Sequence, residues 1–225
     1  MKIAAIIVAA GTGKRFGSKK QFEFLGKKRI IELTVQKFLN IPEIKNIVVV
    51  LPKKDIKENI IADFSLQSSH IKIVAGGKTR QHSVFNGLSV LNFDTEIVLV
   101  HDGVRPFVSE KVIKTSILTA KKYGACVVAV LSKDTIKIVK NGFIVSTPER
   151  KNIFLAQTPQ AFKYPLIIKA YKEAFAKKYF ATDDSTLVEQ LLGKKVKIVL
   201  GDYVNIKITT KEDMINNDFS SPSFK

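Results

Sequence analysis

The sequence predicts an α/β protein built on a doubly wound, mostly parallel, Rossmann-like sheet. Three observations predict this fold class. Apolar runs rich in β-branched residues recur through the first 130 residues, segments with helical spacing lie between them, and the runs stay apolar at successive positions. Strands that are apolar on both faces are typical of parallel sheets, which connecting helices cover on each side.

The elements follow in order along the chain. The predicted strands are residues 3–10, 46–51, 71–75, 96–101 and 125–130, and the connecting helices are residues 30–40, 54–64, 80–91 and 109–123. Further along, the pattern predicts helices at 163–177 and 184–192, a strand at 195–200, and a capping box in which Thr209 or Thr210 pairs with Asp213. We interpret the chain as a single domain, residues 1–225, with a frayed, disordered tail at 216–225.

A hairpin signal interrupts this rhythm after Val130. The stretch KDTIKIVKNGFIVSTPER alternates apolar and polar residues around Asn141-Gly142, a strong turn signal. We therefore expect a β-arm at about residues 133–155. A doubly wound sheet offers no obvious place for this arm, so it either packs on its own domain or projects onto another subunit.

The composition predicts a soluble, cytoplasmic protein. At 225 residues with 45% hydrophobic content, the chain can bury a substantial core. A single cysteine, Cys126, excludes an internal disulfide and lies in the apolar run ACVVAV, where we expect a buried, inert thiol. The N-terminal MKIAAIIVAA resembles a short signal peptide, but the cationic glycine loop that follows at once favours a first strand. No apolar run approaches the roughly 18 residues of a membrane span.

The net charge of +17 points to an anionic partner, and nucleic acid is one candidate. The lysines are spread along the chain, however, and the sequence has no zinc-finger spacing, RNP1-like motif or basic region joined to heptads. We therefore prefer a lysine-coated surface and expect no nucleic-acid partner. Arginine supplies only five of the 37 basic residues, and four of the five lie in stretches with other functional signals: Arg15, Arg80, Arg105 and Arg150.

The first predicted strand runs into the loop AAGTGKRFGSKKQF, residues 9–22. Glycines let backbone N–H groups turn toward a ligand, and Lys14, Arg15, Lys19 and Lys20 supply charge, so the loop predicts a cradle for phosphate. Its spacing matches neither a Walker A loop nor the dinucleotide fingerprint, and the second strand ends in Pro52 and lysines rather than in a ribose-binding carboxylate. Both common nucleotide motifs are therefore disfavoured.

The stretch VHDGVRPF follows the fourth predicted strand. Ligands gather at the carboxyl ends of strands in an open parallel sheet, so Asp102 is placed to hold a metal and Arg105 to hold an anion. The alternative is that Asp102 caps the helix that begins near Ser109. Ser109 serves that purpose better, which favours the functional interpretation.

Six stretches together strongly resemble one enzyme family. They are AAGTGKRFGSKKQF, AGGKTRQHSVFNGL, VHDGVRPF, AQTPQAF, ATDDSTLVE and NIKITTKEDM, in family order, from residue 3 to about 214. The family is 2-C-methyl-D-erythritol 4-phosphate cytidylyltransferase, of the non-mevalonate isoprenoid pathway. The resemblance implies a nucleotide-diphospho-sugar transferase-like fold and a homodimer that forms through the β-arm. It also implies magnesium-dependent transfer from CTP to a phosphorylated sugar alcohol, with release of pyrophosphate.

The resemblance also implies roles for individual residues. The CTP site would comprise Ala9, Ala10, Gly11, Thr12, Gly13, Gly77, Arg80, Ser83 and Asp102, with Asp102 as the Mg²⁺ ligand. The catalytic cations would be Arg15, Lys20 and Lys207. The second substrate or the transferred phosphate would contact Arg105, Thr135, Arg150, Thr158 and Thr182. The chain departs from the family pattern at Gly103-Val104, where many relatives carry two alanines, and after Met214, where the usual closing helix is missing.

The chemistry of such a transfer asks for the same kinds of residues. The attacking phosphate monoester is already mostly a dianion near neutral pH, because its second pKa is about 6, so it needs neither a protein nucleophile nor a general base. The obstacle is repulsion between two anions, which cations such as Arg15, Lys20 and Lys207 relieve. His101 has no role in this scheme, and we expect it to be a packed residue at a strand end.

Three alternatives stay open at this point. Ribitol-5-phosphate cytidylyltransferases share the fold, the CTP loop and the QTPQ stretch, but ATDDSTLVE resembles the methylerythritol enzymes. A basic nucleic-acid-binding protein would show a steep salt dependence of binding to a phosphate polymer. A dinucleotide oxidoreductase is disfavoured by the glycine spacing.

Overall fold

The strands and helices described below come from a computed structural model, which describes residues 1–13, 16–57 and 69–215. In chain order the strands are β1 (Ile3–Val8), β2 (Phe24–Leu25), β3 (Lys28–Arg29), β4 (Ile44–Leu51), β5 (Ile71–Ala75), β6 (Ile97–Asp102), β7 (Ala125–Leu131), β8 (Ile138–Lys140), β9 (Phe143–Ser146), β10 (Phe154–Lys163) and β11 (Lys197–Leu200). The helices are α1 (Ile30–Leu39), α2 (Lys53–Lys57), α3 (Arg80–Ser89), α4 (Glu110–Tyr123), α5 (Tyr164–Ala176), α6 (Asp184–Leu192) and α7 (Glu212–Ile215). Short 3₁₀ turns cover Lys20–Phe22 and Arg150–Asn152.

One seven-stranded sheet forms the centre, in the order β11-β7-β10-β6-β1-β4-β5. β10 runs antiparallel to both of its neighbours, β6 and β7, and the other neighbouring strands pair in parallel. The predicted mostly parallel, doubly wound α/β architecture is therefore confirmed. The sequence patterns did not predict β10 as a strand.

Helices cover the sheet on both faces, as the doubly apolar strands require. Along β1, alternate side chains enter opposite cores, so Ile3 and Ile7 pack with one set of helices and Ile6 with the other. The first core lies under α1 and α4, and the second under α3, α5 and α6. Each fully buried isoleucine of β1 contributes about 1.5–3 kcal/mol relative to an exposed side chain.

Helix caps explain where α4 begins and ends. The Ser109 side chain accepts a hydrogen bond from the Val112 N–H, and Gly124 ends the helix with a φ of 91°. A positive φ of this kind favours glycine, which has no Cβ to clash. The predicted cap at Ser109 is confirmed, so Asp102 is not needed for that purpose. Similarly, the Asp213 carboxylate accepts bonds from the backbone N–H groups of Thr209 and Thr210 before α7, as the capping box predicts.

The predicted hairpin is present as β8 and β9, which turn at Asn141-Gly142 and form a separate two-stranded sheet. We call residues 133–153 the arm, since Phe154 and Leu155 at the end of the predicted range already pair with β7 in the main sheet. The apolar side chains of the arm hairpin are exposed, and Phe143 is 78% exposed. Exposed apolar patches of this kind mark interaction surfaces in many proteins.

Two predicted elements extend beyond the described residues. α2 ends at Lys57, and the rest of the predicted helix at 54–64 lies outside the described residues, as does the predicted tail at 216–225. Within the described part of the chain, no helix is long and apolar enough to cross a membrane.

Candidate active site

A cleft of about 420 Å³ opens at the carboxyl ends of the central strands. The ends of β1 and β6 meet there, because Val8 pairs with Asp102 in the parallel register. The cleft is lined by the loop after β1, the start of α3, the end of β6 and the segment before α7: Val8, Ala9, Ala10, Gly11, Thr12, Gly13, Phe16, Lys20, Gln21, Gly77, Lys78, Thr79, Arg80, Ser83, Asp102, Val104 and Lys207. Every described residue of the predicted CTP site lies in this lining, together with Lys20 and Lys207.

The loop after β1 folds back on itself to form the floor of the cleft. The Phe16 and Gly17 N–H groups donate to the Gly13 carbonyl, and Gly13 has a φ of 72°. A Cβ at Gly13 would lie 1.7 Å from the Ser18 carbonyl oxygen, so no other residue fits there. The buried Gln21 side chain donates to the Gly11 carbonyl at 3.1 Å and holds the two ends of the loop together. Arg15 lies outside the described residues, and its catalytic role stays a prediction.

A second glycine-containing segment, residues 76–83, contributes to the same lining. The Gly76 N–H donates to the Leu51 carbonyl, and a Cβ on Gly76 would lie 2.3 Å from the Ala10 Cβ. The Gly77 N–H donates to Ser83 Oγ at 3.1 Å, and Ser83 Oγ donates to the Thr79 carbonyl at 2.9 Å. The predicted nucleoside residues Gly77 and Ser83 thus contact each other and fix the backbone that faces the cleft.

Three cations surround the Asp102 carboxylate. Lys207 Nζ lies 3.0 Å and Arg105 Nε 3.3 Å from Oδ2, and Arg80 Nε lies 3.8 Å from Oδ1. Burial alone would raise the pKa of Asp102, but Lys207, Arg80 and Arg105 outweigh it and hold the pKa well below its usual value. Asp102 is therefore ionised near neutral pH.

Arg80 makes its strongest ion pair with a carboxylate that the sequence patterns did not single out. Its Nη1 and Nη2 donate to the two carboxylate oxygens of Asp184 at 2.9 and 2.7 Å, and the Tyr171 hydroxyl donates to the same carboxylate. Burial lowers and Asp184 raises the pKa of Arg80, with a net rise. Asp184 lies in the stretch ATDDSTLVE, in which the predicted substrate residue is Thr182. Thr182 is exposed, and its contact with substrate stays a prediction.

Arg105 and Thr158 contact Asp102 but do not line the cleft. Arg105 is 9% exposed, and its Nη1 donates to the Asn205 carbonyl at 2.7 Å, two residues before Lys207. The Asp102 N–H donates to Thr158 Oγ1 at 3.1 Å. Neither residue lies in the cleft lining, so their contacts in this structure hold Asp102 and the Lys207 segment rather than an open surface.

His101 is packed, as expected. Burial lowers its pKa to about 4, which keeps the imidazole neutral. Its Nε2 donates to the Arg105 carbonyl, so Nδ1 accepts from the Thr158 hydroxyl at 2.9 Å. Cys126 is also buried, and burial raises the pKa of its thiol to about 12, which matches the predicted inert cysteine.

Thr135 and Arg150 lie at the base of the arm, away from the cleft of their own chain. Both are exposed, and Arg150 Nη1 donates to the Lys133 carbonyl at 3.2 Å. The structure therefore does not bring these two predicted substrate residues together with Lys20 and Asp102 within one chain. Their contact with substrate stays a prediction.

A divalent cation fits the cleft at Asp102 without a cage of protein ligands. Across residues 1–13, 16–57 and 69–215, no group of three or more His, Cys, Asp or Glu side chains is arranged to hold a metal. Mg²⁺ bound with a nucleotide needs no such group, because one or two carboxylates and the phosphate oxygens complete its shell. Asp102 offers Oδ1, which lies 3.8 Å from Arg80 Nε and so beyond hydrogen-bond distance.

Comparisons with known proteins identify the family of the chain. The family model of 2-C-methyl-D-erythritol 4-phosphate cytidylyltransferase (IspD) matches residues 3–220. The chain is similar to the enzyme of that name from Clostridioides difficile, with 48% identity over 94% of this chain and 90% of the relative, and to that from Geobacter metallireducens, with 44% identity over 96% and 95%.

Solved structures show the same likeness. A 4-diphosphocytidyl-2C-methyl-D-erythritol synthase from Anaerococcus prevotii superposes with a TM-score of 0.87, at 40% identity over 96% of this chain and 93% of that one. The Francisella tularensis 2-C-methyl-D-erythritol 4-phosphate cytidylyltransferase superposes with a TM-score of 0.83, at 30% identity over 98% and 100%.

Proposed function

Because the chain belongs to the 2-C-methyl-D-erythritol 4-phosphate cytidylyltransferase family, we propose that the cleft around Asp102 is its active site. The protein transfers the cytidylyl group of CTP to 2-C-methyl-D-erythritol 4-phosphate, a step of the non-mevalonate isoprenoid pathway. The products are 4-diphosphocytidyl-2-C-methyl-D-erythritol and pyrophosphate. The observation that carries the assignment of the site is that a glycine loop, Lys20, Arg80 and Lys207 line one cleft around a buried carboxylate.

The proposed reaction is a single in-line displacement. A phosphate oxygen of the sugar alcohol attacks the α-phosphorus of CTP, and the bond from that phosphorus to the oxygen bridging to the β-phosphate breaks. The bonding electrons leave with pyrophosphate, so no protein residue gives or takes a proton. Lys20 and Lys207 act as fixed cations beside the oxygens that gain charge.

The two glycine segments divide the work of binding CTP. The loop Ala9–Gly13 turns around the triphosphate, whereas Gly77, Arg80 and Ser83 contact the nucleoside. The proposal is supported by the presence of both segments in the lining of one cleft and by the Ser83 bond that fixes the Gly77 N–H. Backbone N–H groups suit an anion, since they supply partial positive charge without a flexible side chain.

Mg²⁺ is the proposed cofactor, held by Asp102 together with the nucleotide. When bound, it would neutralise the phosphates and orient the α-phosphate for attack. The donor chemistry supports this proposal, because Asp102 is ionised and its Oδ1 lies outside hydrogen-bond distance of Arg80 Nε.

The arm supports a homodimer in which each active site takes residues from both chains. The arm hairpin exposes apolar side chains, and Arg150 and Thr135 lie at its base outside the cleft of their own chain. Covering the arm with a second copy buries the apolar surface, and it can bring Arg150 to the partner's cleft.

Subunit mixing tests this arrangement. Inactive Lys20→Ala chains are mixed with inactive Arg150→Ala chains and allowed to exchange, so that half of the dimers are mixed. A shared site leaves one site of each mixed dimer with both defects and the other with neither, so about a quarter of all sites regain activity. If Arg150 serves its own chain, every site keeps one defect and mixing restores nothing, provided that exchange is confirmed by mass spectrometry.

Pyrophosphate release tests the reaction itself. The protein is incubated with CTP, Mg²⁺ and either 2-C-methyl-D-erythritol 4-phosphate or ribitol 5-phosphate. We expect rapid release with the first alcohol and slow release with the second. The opposite preference, or no release with either, would overturn the assignment. CTP is a cytoplasmic metabolite, and we propose that the enzyme acts there and needs no nucleic-acid partner.

A further inference from the structure

Arg80 lies between two carboxylates, and its contacts with them are unequal. Both terminal nitrogens bond to Asp184 at 2.7 and 2.9 Å, whereas Nε lies 3.8 Å from Asp102 Oδ1. A guanidinium is planar and its donors have fixed directions, so the two-pronged pair with Asp184 decides where the whole group points. Asp102 therefore has an arginine nearby that does not form a hydrogen bond with it.

Hydrogen bonds other than those with Arg80 fix the position of Asp184. It is fully buried in the first turn of α6, and its own N–H and the Ser185 N–H both donate to Gln160 Oε1. The Tyr171 hydroxyl donates to the carboxylate from the α5 side. Asp184 is therefore fixed by contacts with α5 and β10, and Arg80 at the start of α3 bonds to it.

Without the charge of Asp184, the next carboxylate for Arg80 is Asp102. Oδ2 of Asp102 already contacts Lys207 and Arg105, at 3.0 and 3.3 Å. A released guanidinium has less than 1 Å to move before it hydrogen-bonds to Oδ1, since 3.8 Å exceeds an ordinary N–H···O distance of about 2.9 Å by that much. Asp102 would then have cations on both oxygens.

We propose that Asp184 is a positioning residue, which holds Arg80 away from Asp102 and so keeps Asp102 Oδ1 open to the divalent cation that accompanies CTP. This inference rests on the proposed function and on Asp102 as the metal ligand. Of the hydrogen bonds of Asp184 described above, those with Arg80 are the ones that join it to a residue of the cleft lining. The effect of Asp184 on the cleft therefore passes through the arginine.

Metal binding, measured without turnover, tests the proposal. Mn²⁺ is titrated into each protein with α,β-methylene CTP, which binds but cannot be cleaved, and free Mn²⁺ is measured by electron paramagnetic resonance. The variants are Asp184→Asn, Arg80→Met and the double variant. We expect Asp184→Asn to weaken Mn²⁺ binding about tenfold. Arg80→Met removes a residue of the CTP site and a cation 3.8 Å from Asp102, so it is the reference for the double variant, and at equal nucleotide occupancy it should bind Mn²⁺ no more weakly than the unaltered protein.

The double variant decides between positioning and simple damage. Removing the arginine removes the competitor, so Mn²⁺ affinity in Asp184→Asn/Arg80→Met should return to within about threefold of that of Arg80→Met alone. A double variant as weak as Asp184→Asn would overturn the proposal, as would unchanged binding in Asp184→Asn or an unaltered protein that binds no Mn²⁺. Should Asp184→Asn fail to fold, Asp184→Ser with and without Arg80→Met gives the same comparison, because serine leaves room for water beside Tyr171.

The proposed function is scored separately. Pyrophosphate release by the unaltered protein reports on cytidylyl transfer, whatever the Mn²⁺ titrations show. If the unaltered enzyme is active but the double variant does not recover Mn²⁺ affinity, only the proposed role of Asp184 is refuted. If the unaltered enzyme is inactive, the proposed function is refuted.

Discussion

Replacing Asp102 by asparagine removes the negative charge that three cations share while keeping the size of the side chain. Lys207 and Arg80 are each about a third exposed, and Arg80 keeps its pair with Asp184. Arg105 loses the most from the change. Its side chain is 11% exposed, and of the partners described above it keeps only the Asn205 carbonyl.

These contacts set the expected loss of stability. Breaking a fully buried ion pair costs roughly 3–5 kcal/mol. Two of the three cations here reach solvent or hold another partner, so we expect a smaller cost of about 1–3 kcal/mol for Asp102→Asn. For a chain of 225 residues this corresponds to a fall in Tm of roughly 2–12 °C. Differential scanning calorimetry at pH 7 measures it.

The lowered pKa of Asp102 also predicts how this loss of stability changes with pH. The pKa of Asp102 is lowered in the folded protein, so its charge stabilises the fold above its unfolded pKa of about 4 and this contribution is lost as the pH falls further. The difference in stability between the unaltered protein and Asp102→Asn should therefore be largest near neutral pH and shrink below about pH 4.

Asp102→Asn should also lower the catalytic rate, and by more than its loss of stability would explain. We expect Asp102→Asn to lower turnover by roughly two orders of magnitude, with partial recovery at high Mg²⁺, because one oxygen ligand of a hard cation is lost. Asp94→Asn is the matched control, since Asp94 pairs with Lys2 on the surface and should change neither Tm nor rate. Equal behaviour of the two variants would refute the placement of Asp102 at the reacting centre.

Four further predictions concern the loop, the base, the arm and the surface charge. Lys20→Ala or Arg15→Ala should lower turnover by about two to three orders of magnitude in a folded protein, as judged by circular dichroism, with exposed Lys121→Ala as the control. CTP should be preferred over UTP in pyrophosphate release, because an unpaired buried partner of the base costs ~1–3 kcal/mol, and equal rates would contradict a cytidylyl site. Phe143→Ser should weaken self-association in sedimentation velocity, since Phe143 is 78% exposed on the arm. Filter binding to single-stranded DNA should be negligible at physiological salt, and tight binding with a steep salt dependence would indicate a nucleic-acid partner.

Local patterns predicted most of the fold because β1, β4, β6 and β7 each contain a long run of apolar residues. β1 and β6 are buried almost throughout, so their sequences show no alternation to confuse them with surface strands. β10 was missed because polar residues Gln157, Thr158 and Gln160 lie inside it and break the apolar run. Those side chains are buried in hydrogen bonds to Asp202, Asp102 and α6, which are contacts that local pattern cannot show.

The site was predicted in its loops and less completely in its ion pairs. Glycines at fixed spacing identify the two segments that line the cleft, because turns and close approaches restrict the residue type locally. The pair between Arg80 and Asp184 joins residues 104 positions apart, and the neighbouring Asp183 is a helix cap of similar appearance in the sequence. Arg105 illustrates the same limit, since nothing local in the sequence shows its contacts with Asp102 and the Asn205 carbonyl, and its contact with substrate stays a prediction.

The stereochemical course at the α-phosphorus tests the central claim most directly, namely that the cleft transfers the cytidylyl group in one displacement without a protein nucleophile. CTP bearing sulfur at the α-phosphate, as a single diastereomer, is turned over with 2-C-methyl-D-erythritol 4-phosphate, and the configuration of the product is read by ³¹P NMR. One in-line attack predicts inversion. Retention would require two displacements through a nucleotidylated residue, and it would contradict a mechanism in which the protein supplies position and positive charge but no nucleophile.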